Sequence, residues 1–190
     1  MSENINENNL RTRLILAGLK ELEEHGIKDF SLRRVAIMAE VSCAAPYRHF
    51  KNKDQLILGV LQYIKDDWFL LCKQISSVFA NDLPSLAKEL CASAVKFWIA
   101  NGNFLSVLFL VQSSTDREQK KMLAKFDEPI IDTIRKISEY KSFSKEKSSL
   151  LEFSIPSLVY GAIMLIARDS LPTKEVISNL RNQIDFSLLS

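Results

Sequence analysis

Five glycines and five prolines are few for 190 residues. All-β folds spend more of both on turns, so the scarcity argues against a sandwich or barrel and favours helices. The three cysteines, Cys43, Cys72 and Cys91, are an odd set whose spacing fits neither a metal pattern nor a disulfide framework, as in a reduced, cytoplasmic protein. Only two histidines occur, His25 and His49. There is no G-x-S-x-G, no phosphate loop and no H-E-x-x-H, so no catalytic constellation is present. An enzyme is the competing class, but no catalytic residue, cofactor or metal is expected. The polar start, Ser2 to Asn9, lacks the character of a secretory or transit segment. A mostly apolar run, Leu150 to Ala167, carries Glu152, Pro156 and Gly161 and falls at the short limit for crossing a bilayer. It reads as a helix buried on several faces, as at a subunit interface, and no membrane partner is expected.

Net charge is also small, +2, but it is unevenly placed. Between Ser31 and Lys53 stand Arg33, Arg34, Arg48, Lys51 and Lys53 against the single acid Glu40, a local +4. A basic patch on a near-neutral chain is the electrostatic footprint of many sequence-specific DNA binders.

What is abundant is helical periodicity. Leu14, Gly18 and Leu22 share one face of a first helix (about 10–25) that Gly26 ends. Ser31 is the N-cap of a short second helix, with Leu32, Val35, Ala36 and Ala39 on its buried face and Phe30 placed to staple onto Val35. Ser42 is expected to cap a third short helix from Cys43 to about Phe50. Asn52 caps a fourth, with Gln55 three residues on and Leu56, Val60, Ile64 and Trp68 as its stripe. Further helices are expected from Pro84 to about Asn101, over Phe104 to Val111, and from about Asp116 to Tyr140 with a bend at Pro129. Two more run over 144–170, interrupted by Pro156, and from Pro172 to the end. The fold class is all-α, about nine helices.

Two short helices joined by a tight turn make a helix-turn-helix. The segment VSCAAPYRHFKNKDQL resembles the V-S-x-x-x-x-Y-x-H-F-x-x-K-x-x-L pattern of the TetR family of bacterial transcriptional regulators, matching at Val41, Ser42, Tyr47, His49, Phe50, Lys53 and Leu56. The first helix (LILAGLKELEEHG) and FSLRRVA resemble it too. The resemblance spans about residues 8–68, roughly a third of the chain. It implies a DNA-binding domain over 8–68 and a helical effector-binding and dimerisation domain over 69–190.

Candidate DNA contacts divide by chemistry. Ser42 and Lys53 stand at expected helix N-termini, which favour phosphate. Similarity to the family places Tyr47 and His49 on the DNA backbone, where they position the protein without reading sequence. Arg48 and Arg33 are the candidate base readers, because arginine bonds guanine O6 and N7 bidentately. Arg34 suits either role, and Ser31 stands at the start of the second helix. Ala44 and Ala45 offer contact to a thymine methyl, and Cys43 is a small packing or groove-facing residue. Glu40 occupies the turn where the family has glycine, so positive φ there carries a cost and adds a negative charge near phosphates.

For the C-terminal domain, the aromatics suggest a pocket for a small, partly apolar effector: Trp68, Phe97, Trp98 and Phe104, with Phe109, Phe126, Tyr160 and Met164. One helix-turn-helix reads one half-site, so a palindromic double-stranded DNA operator implies a homodimer. The resemblance implies that the last two helices form the interface as a four-helix bundle, and their faces with Ser157, Gly161 and Ala162, and with Ile177, Leu180 and Ile184, suit close packing. It also implies repression relieved by the effector, with activation as the alternative mode. The competing reading is a helical interaction module whose DNA binding is weakened or lost, and Glu40 is its motive.

Overall fold

Helix caps fix most element boundaries. In a computed structural model, which describes residues 2–100 and 117–189, all regular structure is helical. The helices are α1 (Ser2–His25), α2 (Leu32–Met38), α3 (Ala45–His49), α4 (Lys53–Val78), α5 (Leu83–Ala100), α6 (Arg117–Ala124), α7 (Glu128–Tyr140), α8 (Lys145–Ala167) and α9 (Thr173–Leu189). A 3-10 turn, Lys125–Asp127, separates α6 from α7. The expected helix over Phe104 to Val111, and with it Phe104 and Phe109, lies outside the described residues.

The expected caps at Ser31 and Asn52 are present. The Ser31 hydroxyl accepts from the Arg34 N–H at 3.4 Å, and Asn52 Oδ1 accepts from the Gln55 N–H at 3.0 Å. Gly26 closes α1 at φ 68°, its N–H on the Leu22 carbonyl at 2.9 Å. The single bent helix expected around Pro129 is two helices instead. Proline has no N–H to give a preceding turn, and in the first turn of α7 that N–H is not needed.

Three helices end on a non-glycine residue in the left-handed region: Glu40 at φ 55°, Ser142 at 53° and Asp169 at 53°. Each is the C′ residue of a Schellman closure. After α2, for example, the Glu40 N–H bonds the Ile37 carbonyl and the Val41 N–H the Ala36 carbonyl, both at 3.0 Å.

The described residues form two compact units, 2–66 with 117–124 and 67–100 with 125–189. The first is built on Leu14, Leu22, Val35, Ala36, Leu56, Ile57, Val60 and Leu61, all at most 2% exposed. Small residues allow close approach there. A β-carbon on Gly18 would stand 3.2 Å from Val60, and one on Gly59 would stand 3.1 Å from Phe50. Within this unit Gln119 of α6 is buried and donates to the Asp54 carbonyl at 3.4 Å.

In the second unit α5 packs on α7, α8 and α9. Ion pairs Lys88–Asp185 at 2.9 Å and Arg181–Glu89 at 2.8 Å tie α5 to α9. By length and composition α8 passes for a membrane-crossing helix. Within the unit, however, Leu151, Ile155, Val159 and Ile163 are buried on one flank. Pro156 is buried inside the continuous helix and does not interrupt it.

Candidate nucleic-acid interface

The segment from Ser31 to Lys53 is held from behind and exposed in front. Behind it, Phe30, Val35, Ala39 and Phe50 are buried. Arg11 lies over the Phe50 ring, 5.3 Å from its centroid, and Arg13 donates to the Ala39 carbonyl. These contacts pin the turn and the far end of the helix-turn-helix to α1. In front, Arg33, Ser42, Cys43, Ala44, Tyr47, Arg48 and Lys51 are exposed, and Ser31, His49 and Lys53 are half-buried. The Lys53 ammonium donates to the Lys28 carbonyl at 3.4 Å.

Three expectations are corrected. The third helix begins at Ala45, not Cys43, and Ser42 is not its cap. Ala44 takes that position without a side-chain hydrogen bond, and the Ala45 N–H bonds the Ser42 carbonyl at 2.9 Å. Pro46, with its φ already helical, sets the first turn of α3. Ala45 is 7% exposed, so it packs inward and offers no methyl contact. Arg34 turns its guanidinium onto the buried Glu21 carboxylate, which accepts from Arg34 Nε at 2.9 and 3.1 Å. That pairing raises the arginine's pKa above its ordinary value.

Glu40 has the positive φ that the sequence raised as a concern, and its side chain is exposed. The turn therefore has the geometry for which glycine is the usual residue, with a carboxylate added.

The other sequence-derived sites lie in the second unit. Trp68, Phe97, Trp98 and Phe126 are brought together. Ring centroids are 5.3 Å apart for Trp68–Phe97, 6.2 Å for Phe97–Trp98 and 5.1 Å for Trp98–Phe126. The Trp68 indole N–H donates to the Phe126 carbonyl at 2.9 Å. The next residue, Asp127, receives the Tyr160 hydroxyl, and its burial pushes its pKa up. The sequence reading missed Asp127, an acid beside a run of apolar positions. Met164 is apart from this cluster, on an exposed face of α8.

Of the residues expected at the subunit interface, Ser157 and Gly161 are exposed. Ile177 and Ile184 are not: they are 6% and 0% exposed within the single chain, where they serve its own core. Ala162 and Leu180 are largely buried but line a groove of about 560 Å³ along α8 and α9, together with Ser157, Gly161, Leu165 and Gln183. Around that groove Phe153 and Phe186 are 72% and 68% exposed.

Cys43 is exposed, whereas Cys72 and Cys91 are buried. Burial pushes the Cys72 thiol up to about 12 and raises that of Cys91 as well.

Residues 14–60 match the family model for bacterial regulatory proteins of the tetR family. The chain has the TetR-family fold. A protein from Rhodococcus sp. described as a TetR-family transcriptional regulator superposes with a TM-score of 0.77 at 18% identity, over 95% of this chain and 99% of that one. One from Mesorhizobium loti, described likewise, gives 0.78 at 12% identity over 96% of each chain. A Clostridium perfringens protein described as a fatty acid metabolism regulator gives 0.72 at 17% identity, over 90% of this chain and 96% of its own. No curated protein matches. At these identities the structural likeness establishes the fold. The matched residues include α2 and α3, the helix-turn-helix.

Proposed function

We propose that this chain is a transcriptional repressor that grips a palindromic operator as a homodimer and lets go when a small, partly apolar effector binds its C-terminal unit. The observation that carries the DNA reading is the exposed row of Arg33, Ser42, Tyr47, Arg48 and Lys51 on a segment packed rigidly from behind. Arg48 and Arg33 read base edges. Ser42, Tyr47, His49 and Lys53 hold phosphates, and the small Cys43 and Ala44 allow close approach to the groove. Ser31 serves the site by capping α2.

The homodimer uses the α8–α9 groove. Phe153, Gly161, Leu165 and Leu171 line an apolar stretch of that groove, and a second copy covers it as a four-helix bundle. Two recognition elements then meet half-sites about 34–36 Å apart. The effector site is the aromatic cluster around Trp68, Trp98 and Phe126, with Tyr160 as its polar edge. Effector binding favours a dimer arrangement whose recognition helices no longer match that spacing.

The test is binding of labelled duplex DNA at several salt concentrations. Phosphate contacts give a steep decline of affinity with salt, and Arg48→Glu with Lys53→Glu removes most of the binding. A protein indifferent to duplex DNA at low ionic strength would instead be an interaction module. The exposed carboxylate of Glu40 in the turn is the feature that favours that second reading.

A further inference from the structure

Among the described residues, Glu21 of α1 is the one charged side chain that is buried, at 0% exposure. One carboxylate there serves three donors: the Ser31 backbone N–H at 2.9 Å, Arg34 Nε, and Arg34 Nη2. The same Nη2 also donates to the Asp29 carbonyl. Glu21 thus joins α1, the Gly26–Phe30 connection and the first turn of α2 through a single group. A buried carboxylate requires this degree of satisfaction, and its geometry is therefore tightly determined.

The neighbouring arginines are divided by this arrangement. Arg33 is exposed, while Arg34, its side chain 42% exposed, turns one edge of its fork onto an acid that has no other cation among the described residues. Bidentate capture of this kind fixes orientation as well as charge. The start of α2 determines where Arg33 stands and how the turn at Glu40 presents α3.

We propose that the Glu21–Arg34 pair is a positioning clamp for the DNA-reading surface, and that Arg34 acts through it and contacts no phosphate. This rests on the DNA-binding reading above. The double variant Glu21→Gln/Arg34→Gln removes the pair without changing net charge and leaves no buried ion, so it folds where Arg34→Gln alone strands the Glu21 carboxylate.

Two measurements decide the matter. With a labelled random-sequence duplex, the double variant binds three- to tenfold more weakly while its plot of log affinity against log salt keeps the parental slope. Loss of a phosphate contact would flatten that slope by about 1, and such flattening overturns the proposal, as does parental affinity. By amide hydrogen exchange without DNA, residues 31–35 of the double variant exchange at least tenfold faster, with α8 and α9 unchanged. Parental exchange rates overturn the clamp whatever the DNA result. If the parent protein ignores DNA, the DNA-binding reading fails, and the exchange measurement still decides whether the clamp exists.

Discussion

The Tyr160 hydroxyl stands 2.9 Å and 3.1 Å from the two carboxylate oxygens of Asp127, bridging α8 to the start of α7. Burial raises the Asp127 pKa, and the tyrosine's hydrogen bond partly opposes that rise. The folded chain therefore holds this proton to higher pH than the unfolded chain does. Its stabilising contribution is complete below the ordinary carboxylate pKa and is lost as pH rises through the folded value. Asp127→Asn should accordingly gain melting temperature relative to the parent as pH is raised from about 4 to 7. Tyr160→Phe should cost about 1–3 kcal/mol, more at neutral pH than in acid, because it leaves the ionised carboxylate without its donor. Thermal melts across that pH range check both.

Gly161 has no atom within 4 Å of where a β-carbon would stand. Gly161→Trp should therefore leave the helical content of the chain unchanged. In the proposed dimer the same site faces the second copy, and the indole should convert a dimeric sedimentation profile into a monomeric one. A variant that sediments like its parent removes the α8–α9 groove as the interface.

At Glu40, φ is 55°. Left-handed geometry costs a non-glycine residue about 1–2 kcal/mol, and glycine gives back about 0.4–1 kcal/mol of that through the greater freedom of the unfolded chain. Glu40→Gly should stabilise by roughly 0.5 kcal/mol net, read as a shift in denaturation midpoint. It should also tighten duplex binding at low salt, since a negative charge leaves the DNA side.

Asn52 supplies the cap of α4. Asn52→Ala should cost about 1 kcal/mol and loosen the turn that carries Lys53, so stability and duplex affinity should fall together. Asn52→Ser, which retains a capping oxygen, should recover most of both.

Local signals were the legible ones. Ser31, Asn52 and Gly26 act within a turn of where they stand, so their caps could be read directly from the sequence. The stripe Leu56, Val60, Ile64 and Trp68 was legible because one face of α4 is uniformly buried. The α9 face was not. Ile177 and Ile184 are apolar because the chain's own core needs them, and periodicity alone cannot tell an internal face from an intersubunit one. Pro129 shows a similar ambiguity, since a proline between two apolar stretches fits a bend or a break equally well. The Glu21–Arg34 pair was overlooked although a clue existed. Glu21 stands seven residues after Leu14, on the buried face of α1, where a carboxylate demands a partner. That partner is thirteen residues away, beyond the reach of any helix-spacing rule.

The three cysteines differ sharply in exposure. With Cys72 and Cys91 buried and their thiolates suppressed, a maleimide fluorophore added near neutral pH attaches at Cys43 alone. The unaltered polypeptide therefore offers a single-site spectroscopic handle on the approach to its third helix, beside the surface assigned to the duplex.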